Sequence, residues 1–327
     1  MKVLVIGGAG YIGSHVSLEL MDAGHQVVVY DNFSSGSKVN IFKGESLVEG
    51  DIMDVARLEK TLADGFDGVI HLAAFKAAGE SMTAPEKYAR NNISGTINIL
   101  NALCGSGTKR IVFSSSAAVY GEPEYLPVDE QHPTNPENFY GFTKLEIERI
   151  LHWYDRLKGI RYSALRYFNA AGYDIKGRTK GLERNPANLL PVIMEVAAGM
   201  RDELHVFGTD YPTPDGTGVR DYVHVSDLAR AHVAALERMA KTDQSLVVNL
   251  GSDAGLSVLD IVEAARRITG TPVPVRTEAR RPGDPARLVA SSAKAAELLG
   301  WKAQYSDVDT LVRTSWDVYR EVSKGVR

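Results

Sequence analysis

The chain has 327 residues, 44% of them hydrophobic and 24% charged, with a net charge of −4 and an isoelectric point near 6.1. That length suits one large domain or two moderate ones, and the composition allows a substantial core. The mild acidity lacks the basic field that a phosphate backbone demands, and no stretch approaches the ~20 apolar residues of a membrane span, so neither a nucleic-acid nor a membrane role is expected.

The first predicted strand is Lys2–Ile6. Its apolar run, Val3 to Ile6, is too short for a signal segment, and the single cysteine, Cys104, cannot form an internal disulfide. Both point to the cytoplasm, with Cys104 as buried filler. Directly after the strand, Gly8-x-Gly10-x-x-Gly13 overlaps Gly7-x-x-Gly10-x-x-Gly13 and leads into a helix predicted over Tyr11–Ala23. Glycines so placed permit a tight turn, close backbone approach to a pyrophosphate and close helix–strand packing. The second strand, Gln26–Tyr30, is followed by Asp31, 18 residues beyond Gly13. An acid there accepts both adenosine ribose hydroxyls and repels a 2′-phosphate, so NAD is expected over NADP. A turn or N-cap aspartate is the bland alternative.

Further strands are predicted at Ser46–Glu49, Val69–Leu72, Arg110–Ser114, Arg161–Arg166 and Val247–Leu250, and helices at Asp54–Ala63, Ala84–Cys104, Asn138–Lys158, Ser257–Thr269 and Ser306–Ser323. Several strands lack a polar face, as parallel strands buried on both sides do. The alternation predicts a Rossmann-type doubly wound parallel sheet. After about Tyr173 the chain turns polar and glycine-containing, which predicts a smaller mixed α/β lobe. The expected division is 1–174 for dinucleotide binding, with about 219–254 returning to it, and 175–327 for the substrate.

Tyr140 and Lys144 stand four apart on the helix Asn138–Lys158 and so share a face. Alone, such a pair is an ordinary surface feature. The strand ending Ser114-Ser115-Ser116 adds hydroxyls at the carboxyl edge of the sheet, where open α/β sheets bind ligands. No His, Asp or Glu cluster has metal-ligand spacing, so no metal site is expected, and His224 reads as a structural histidine.

With these residues in place, the chain resembles the extended short-chain dehydrogenase/reductase superfamily, and within it the UDP-glucose 4-epimerase family. The resemblance runs through GGAGYIGSH, DNFSSG, EGDI, FKAAGES, FSSSAAVYG, YGFTK, RYFNAAG, NLLP, VFGTDYPTPDGTGVRDYVHVSDLA and RRPGD. It implies that UDP-galactose and UDP-glucose interconvert through a transient 4-keto sugar on tightly held NAD, in a homodimer joined through the two long helices of the first lobe. It implies Ser116, Tyr140 and Lys144 as catalytic residues. For the cofactor it implies Gly7, Gly10, Tyr11, Ile12, Gly13, Asp31, Asn32, Ser35, Asp51, Ile52, Leu72, Ala73, Lys76, Asn92, Ser114 and Phe168, with Tyr140 and Lys144. For the UDP-sugar it implies Lys76, Asn169, Asn188, Leu189, His205, Phe207, Arg220, Tyr222, Arg281 and Asp284, with Ser116 and Tyr140. Tyr140, with a pKa normally ~10, needs the Lys144 cation and oxidised nicotinamide to favour its phenolate. Relatives that dehydrate or decarboxylate place an acid just after the catalytic hydroxyl, where this chain has Ala117 and Ala118. The sugar stays open: Leu288, four past Asp284 and of moderate bulk, leaves N-acetylhexosamine acceptance open, a UDP-pentose is a further alternative, and a turnover-free NAD sensor is the reading from another class.

Overall fold

A computed structural model describes residues 1–183, 186–281 and 284–325. The first lobe runs β1 (Lys2–Ile6), α1 (Tyr11–Asp22), β2 (Gln26–Asp31), β3 (Ser46–Glu49), α2 (Val55–Leu62) and β4 (Gly68–His71). Two short helices follow, α3 (Ala78–Ser81) and α4 (Pro85–Tyr88), then a π-helical segment (Ala89–Ser94) and α5 (Gly95–Gly105). Next come β5 (Arg110–Ser116), α6 (Phe139–Lys158) and β6 (Arg161–Tyr167). The rest is β7 (Asn169–Ala171), α7 (Leu189–Ala197), β8 (Leu204–Phe207), β9 (Val219–His224), α8 (Val225–Thr242), β10 (Leu246–Leu250), β11 (Gly255–Ser257), α9 (Val258–Thr269), β12 (Val275–Glu278), β13 (Arg287–Leu288), α10 (Ala293–Leu299) and α11 (Val308–Gly325).

Seven parallel strands form one sheet in the order β10-β6-β5-β4-β1-β2-β3. Its two faces are covered separately. Val3 and Val5 of β1 pack with Val16 and Leu20 of α1 and Leu228 and Leu236 of α8. Leu4 and Ile6 face the other way, onto Leu58, Ile99, Leu103, Ile147 and Leu151 of α2, α5 and α6. Burying each such side chain contributes about 1.5–3 kcal/mol, which is why β1 carries no polar residue after Lys2. Cys104 packs at the edge of the second cluster. The strand order reverses between β1 and β4, and the crevice at their carboxyl ends is where such sheets take ligands.

The small lobe has β9 at its centre, bonded to β7, β11 and β13, and a separate β8–β12 pair. Within the stretch 219–254, α8 packs on α1 and β10 joins the large sheet, whereas β9 belongs to the small one. The helix expected over Ala84–Cys104 is interrupted by the π-helical segment, in which Asn92 turns its amide onto the Phe75 backbone.

α6 sets the geometry of the site. The Asn138 side chain caps it by accepting from Gly141 N–H at 2.9 Å, and Gly159 ends it at φ +67°. A Cβ on Gly141 would stand 2.3 Å from the Ala118 carbonyl oxygen. Only glycine lets the first turn of α6 press against the end of β5, which brings Tyr140 to Ser116.

Candidate active site

The glycine loop is a cradle that side chains would fill. A Cβ on Gly13 would lie 2.2 Å from the Gly7 carbonyl oxygen, and one on Gly7 2.6 Å from Ala73 N. The cleft above it is lined by Gly7, Gly10, Tyr11, Ile12, Gly13, Ser35, Leu72, Lys76, Ser114, Tyr140 and Lys144. A smaller cavity continues it past Gly7, Gly10, Asp31, Asn32, Ser35, Ile52, Leu72 and Ala73. Asp31 spends one oxygen on Ala9 N–H at 2.9 Å and the other on Phe33 N–H at 2.8 Å. Burial raises its pKa and those two donors pull it back. Each oxygen keeps a free lone pair, which fits a pair of ribose hydroxyls. A dinucleotide therefore fits these residues.

Not every expected contact lies open to that cleft. The Asp51 carboxylate is held by the Asn32 amide (2.8 Å) and Met53 N–H (2.8 Å), leaving Ile52 as the cavity wall. Asn92 is buried and bonded to Phe75 N–H, the Phe75 carbonyl and Thr143. It shapes the loop before Lys76. Phe168 packs with Ala117, Leu145 and Ala290.

At the inner end Lys144 Nζ donates to the Ser114 carbonyl at 2.6 Å and lies 4.8 Å from the Phe113 ring centroid and 5.7 Å from that of Tyr140. Burial draws its pKa down to about 7, while Glu148 one turn on pulls it up. From about pH 7 to 10.5 the unfolded chain therefore holds a proton that the folded chain has lost, so this group's contribution to stability rises with pH across that window. His71, beside it, is pushed to about 3 by burial and then by Lys144. The expected drop in the Tyr140 pKa is not found: burial raises it, and Ser116 alone pulls the other way. Lys144 has spent its nearest donor on Ser114 and is itself only partly charged near neutrality, so the free protein keeps Tyr140 as a phenol.

A third cavity, of about 570 Å3, lies in the small lobe. Asn169, Asn188, Leu189, His205, Phe207, Arg220, Tyr222, Arg281 and Asp284 all line it. Pro282 and Gly283 of the RRPGD motif lie outside the described residues. Arg220 is paired with Asp284, and the Arg281 guanidinium sits 3.8 Å from the Phe207 ring centroid. Asn188 stands at the N-cap of α7 with its side chain unused for capping. The cap amide and the helix N-terminus both suit an anion. Tyr167 lines the dinucleotide cleft and Asn169 this cavity, so the two spaces adjoin across two residues of chain.

The profile of the NAD dependent epimerase/dehydratase family matches residues 3–251. The chain belongs to that family. It is 45% identical to a UDP-glucose 4-epimerase of Lacticaseibacillus casei, over 99% of this chain and 98% of that protein. It superposes at a TM-score of 0.95 and 48% identity on a Brucella ovis UDP-glucose 4-epimerase in complex with NAD, covering 98% of each chain. The UDP-Glc/GlcNAc 4-epimerase of Campylobacter jejuni matches at 0.86 and 36%, over 98% of this chain and 99% of that one.

Within this family, the place just beyond Ser116 holds Ala117 and Ala118, which have no proton to give. Leu288 packs at the edge of the cluster of Ala117, Leu145 and Phe168. Three features of this family member escape sequence reasoning. Tyr167 bonds its hydroxyl to Ser114 in the cleft. Asn40 donates to the Ala9 carbonyl at 3.0 Å, while its buried Oδ1 has no partner among the described residues and its side chain lines the cleft. Beneath Lys144, Glu148 takes both arms of Arg166 (2.9 and 2.5 Å) and the Ser115 hydroxyl. Each depends on a contact between segments far apart in sequence. Among the described residues no group of three or more His, Cys, Asp or Glu is placed to hold a metal, and no helix is long and apolar enough to cross a membrane.

Proposed function

We propose that this protein interconverts UDP-galactose and UDP-glucose at C4, with Ser116, Tyr140 and Lys144 at the reacting atoms. One observation carries the reading: Tyr140 and Lys144 close the dinucleotide cleft where it adjoins a cavity equipped for a sugar diphosphate, and no acid follows Ser116. Gly7, Gly10 and Gly13 would seat the NAD pyrophosphate and Asp31 its ribose, and bound NAD would supply the acceptor for the C4 hydride and give the same hydride back to the opposite face of the 4-keto sugar. Tyr140 takes the proton of the 4-hydroxyl and later returns it to the same oxygen, and Ser116 holds that oxygen in line. Lys144 stands behind the phenol, anchored on the Ser114 carbonyl. Arg220 and Arg281 meet the diphosphate with two-pronged donors, and Phe207 faces the base.

Purified protein given UDP-galactose without added NAD is expected to yield UDP-glucose with no net oxidation. Absence of turnover from protein that retains NAD would favour the sensor reading. A second reading, an N-acetylhexosamine or pentose donor, draws on the moderate bulk of Leu288, and competition among UDP-galactose, UDP-N-acetylglucosamine and UDP-xylose decides it.

The same reading includes a homodimer across α5 and α6. Phe142, Trp153 and Leu157 lie on one face of α6 and are 40%, 53% and 69% exposed, more apolar surface than a lone helix face presents to water. Trp153→Glu with Leu157→Glu is expected to halve the mass seen in sedimentation. An unchanged mass would place the contact elsewhere.

A further inference from the structure

We propose that the loop 174–183 is the roof of the dinucleotide cleft, and that Glu183, clasped to Lys76 across the opening, governs how fast the cofactor leaves. The inference rests on reading that cleft as the NAD site.

Gly181, Leu182 and Glu183 line the cleft opposite Gly10, Tyr11, Ile12 and Gly13. They reach it from the small-lobe side, so a ligand seated on the glycine loop would be covered by a segment from outside the first lobe. The loop closes on itself. It departs from Tyr173, and the Glu183 backbone acts against the burial that raises the Tyr173 pKa, so the two ends of the loop lie near each other.

Its outer part is pinned to α1 by charge. Arg178 binds Asp174 and also Asp22 (2.9 Å), and Lys176 binds Asp22 at 2.7 Å. Its middle is pinned by Thr179, 3.1 Å from the neutral, buried His15 ring. Gly181 lies directly against Asn40: a Cβ there would stand 2.2 Å from Asn40 Oδ1. That oxygen is a buried acceptor with no partner among the described residues, so the only room beside it is what the bare glycine backbone leaves.

The last link is Lys76 to Glu183, an ion pair joining the loop after β4 to the end of the roof. An ammonium carries three donors. Lys76 can therefore face a phosphate on its inner side and keep Glu183 on the outer side, so the clasp survives cofactor binding. A dinucleotide can leave only after this roof lifts, and the weakest attachments set the rate.

The test uses NAD-loaded protein. After dilution, free NAD is consumed by a dehydrogenase in excess, which reports release without any turnover of nucleotide sugar. Glu183→Gln is expected to release NAD about two- to fivefold faster, the range that a partly exposed ion pair supports. Glu183→Asp should recover part of the loss. Asp22→Asn, on the exposed rim, should speed release by a similar factor, and the two changes should multiply because they share no partner. Release that is unchanged, or slower, in Glu183→Gln overturns the clasp. Slower release would mean that Glu183 competes with the phosphates for Lys76. Wild-type protein that neither carries NAD nor takes it up would instead overturn the cofactor reading beneath it.

Discussion

Tyr140→Phe is expected to remain folded, to retain NAD, and to lose about 10²–10⁴-fold in kcat. The half-buried ring stays; only the hydroxyl goes. That hydroxyl bonds Ser116, so its removal costs about 1 kcal/mol of stability, far too little to unfold the chain. The catalytic loss is large because nothing else at the inner end of the cleft can take its place. Ala117 and Ala118 have no acidic group, His71 is buried and held neutral with a pKa of about 3, and Lys144 is tied to the Ser114 carbonyl. Burial keeps the free phenol protonated, so the phenolate must be drawn out by positive charge that arrives with the cofactor. UDP-galactose turnover and bound NAD, measured on the same preparation, check this. Activity within a few-fold of wild type would remove Tyr140 from the mechanism.

The second large effect lies one turn below. Glu148→Ala is expected to destabilise the protein by about 3–5 kcal/mol, a large part of the ~5–15 kcal/mol that holds a domain together. Glu148 and Arg166 are both almost wholly buried, with side chains 7% and 8% exposed. Burial disfavours the charged Arg166, but the bonds and charge of Glu148 outweigh it and the net shift is upward. Removing Glu148 leaves a guanidinium in the core held, among the described residues, by Tyr120 through a 3.0 Å bond and a ring face. Removing both charges together, as Glu148→Leu with Arg166→Met, should recover most of the loss, since the pair itself gains little over apolar packing. Urea unfolding of the two variants beside the wild type separates these cases. A loss under 1 kcal/mol in Glu148→Ala would show that the pair is not essential to the core.

The large sheet was legible because its strands are short apolar runs buried on both faces, and the phosphate loop because Gly7 and Gly13 leave no room for a side chain. The small lobe was not. β13 has two residues, β7 and β11 have three each, and they form only because β9 lies between them. α7 carries Pro191 in its first turn, where no intrahelical N–H bond is lost, so a residue usually read as a breaker sits inside a helix. α8 had a readable signal, with Leu228, His232, Leu236 and Met239 on one buried face, but the reading did not include it. The residues proposed for the substrate in that lobe were reachable only through motif resemblance. Asn92 and Phe168 show its limit: the motif located them near the cleft, while their side chains are engaged by the protein itself.

β6 ends at Tyr167 and β7 begins at Asn169, leaving Phe168 as the single residue between a strand of the large sheet and one of the small. With one buried residue for a joint, the lobes have no linker to swing on. The gap between Tyr140 and the arginines Arg220 and Arg281 of the small-lobe cavity is set by strand register, not by how far a jaw closes. A change of space between them must therefore come from the side chains that line the cavities, not from lobe closure. Conversely, lengthening the Phe168 step by one residue would move every substrate contact away from the reacting atoms at once.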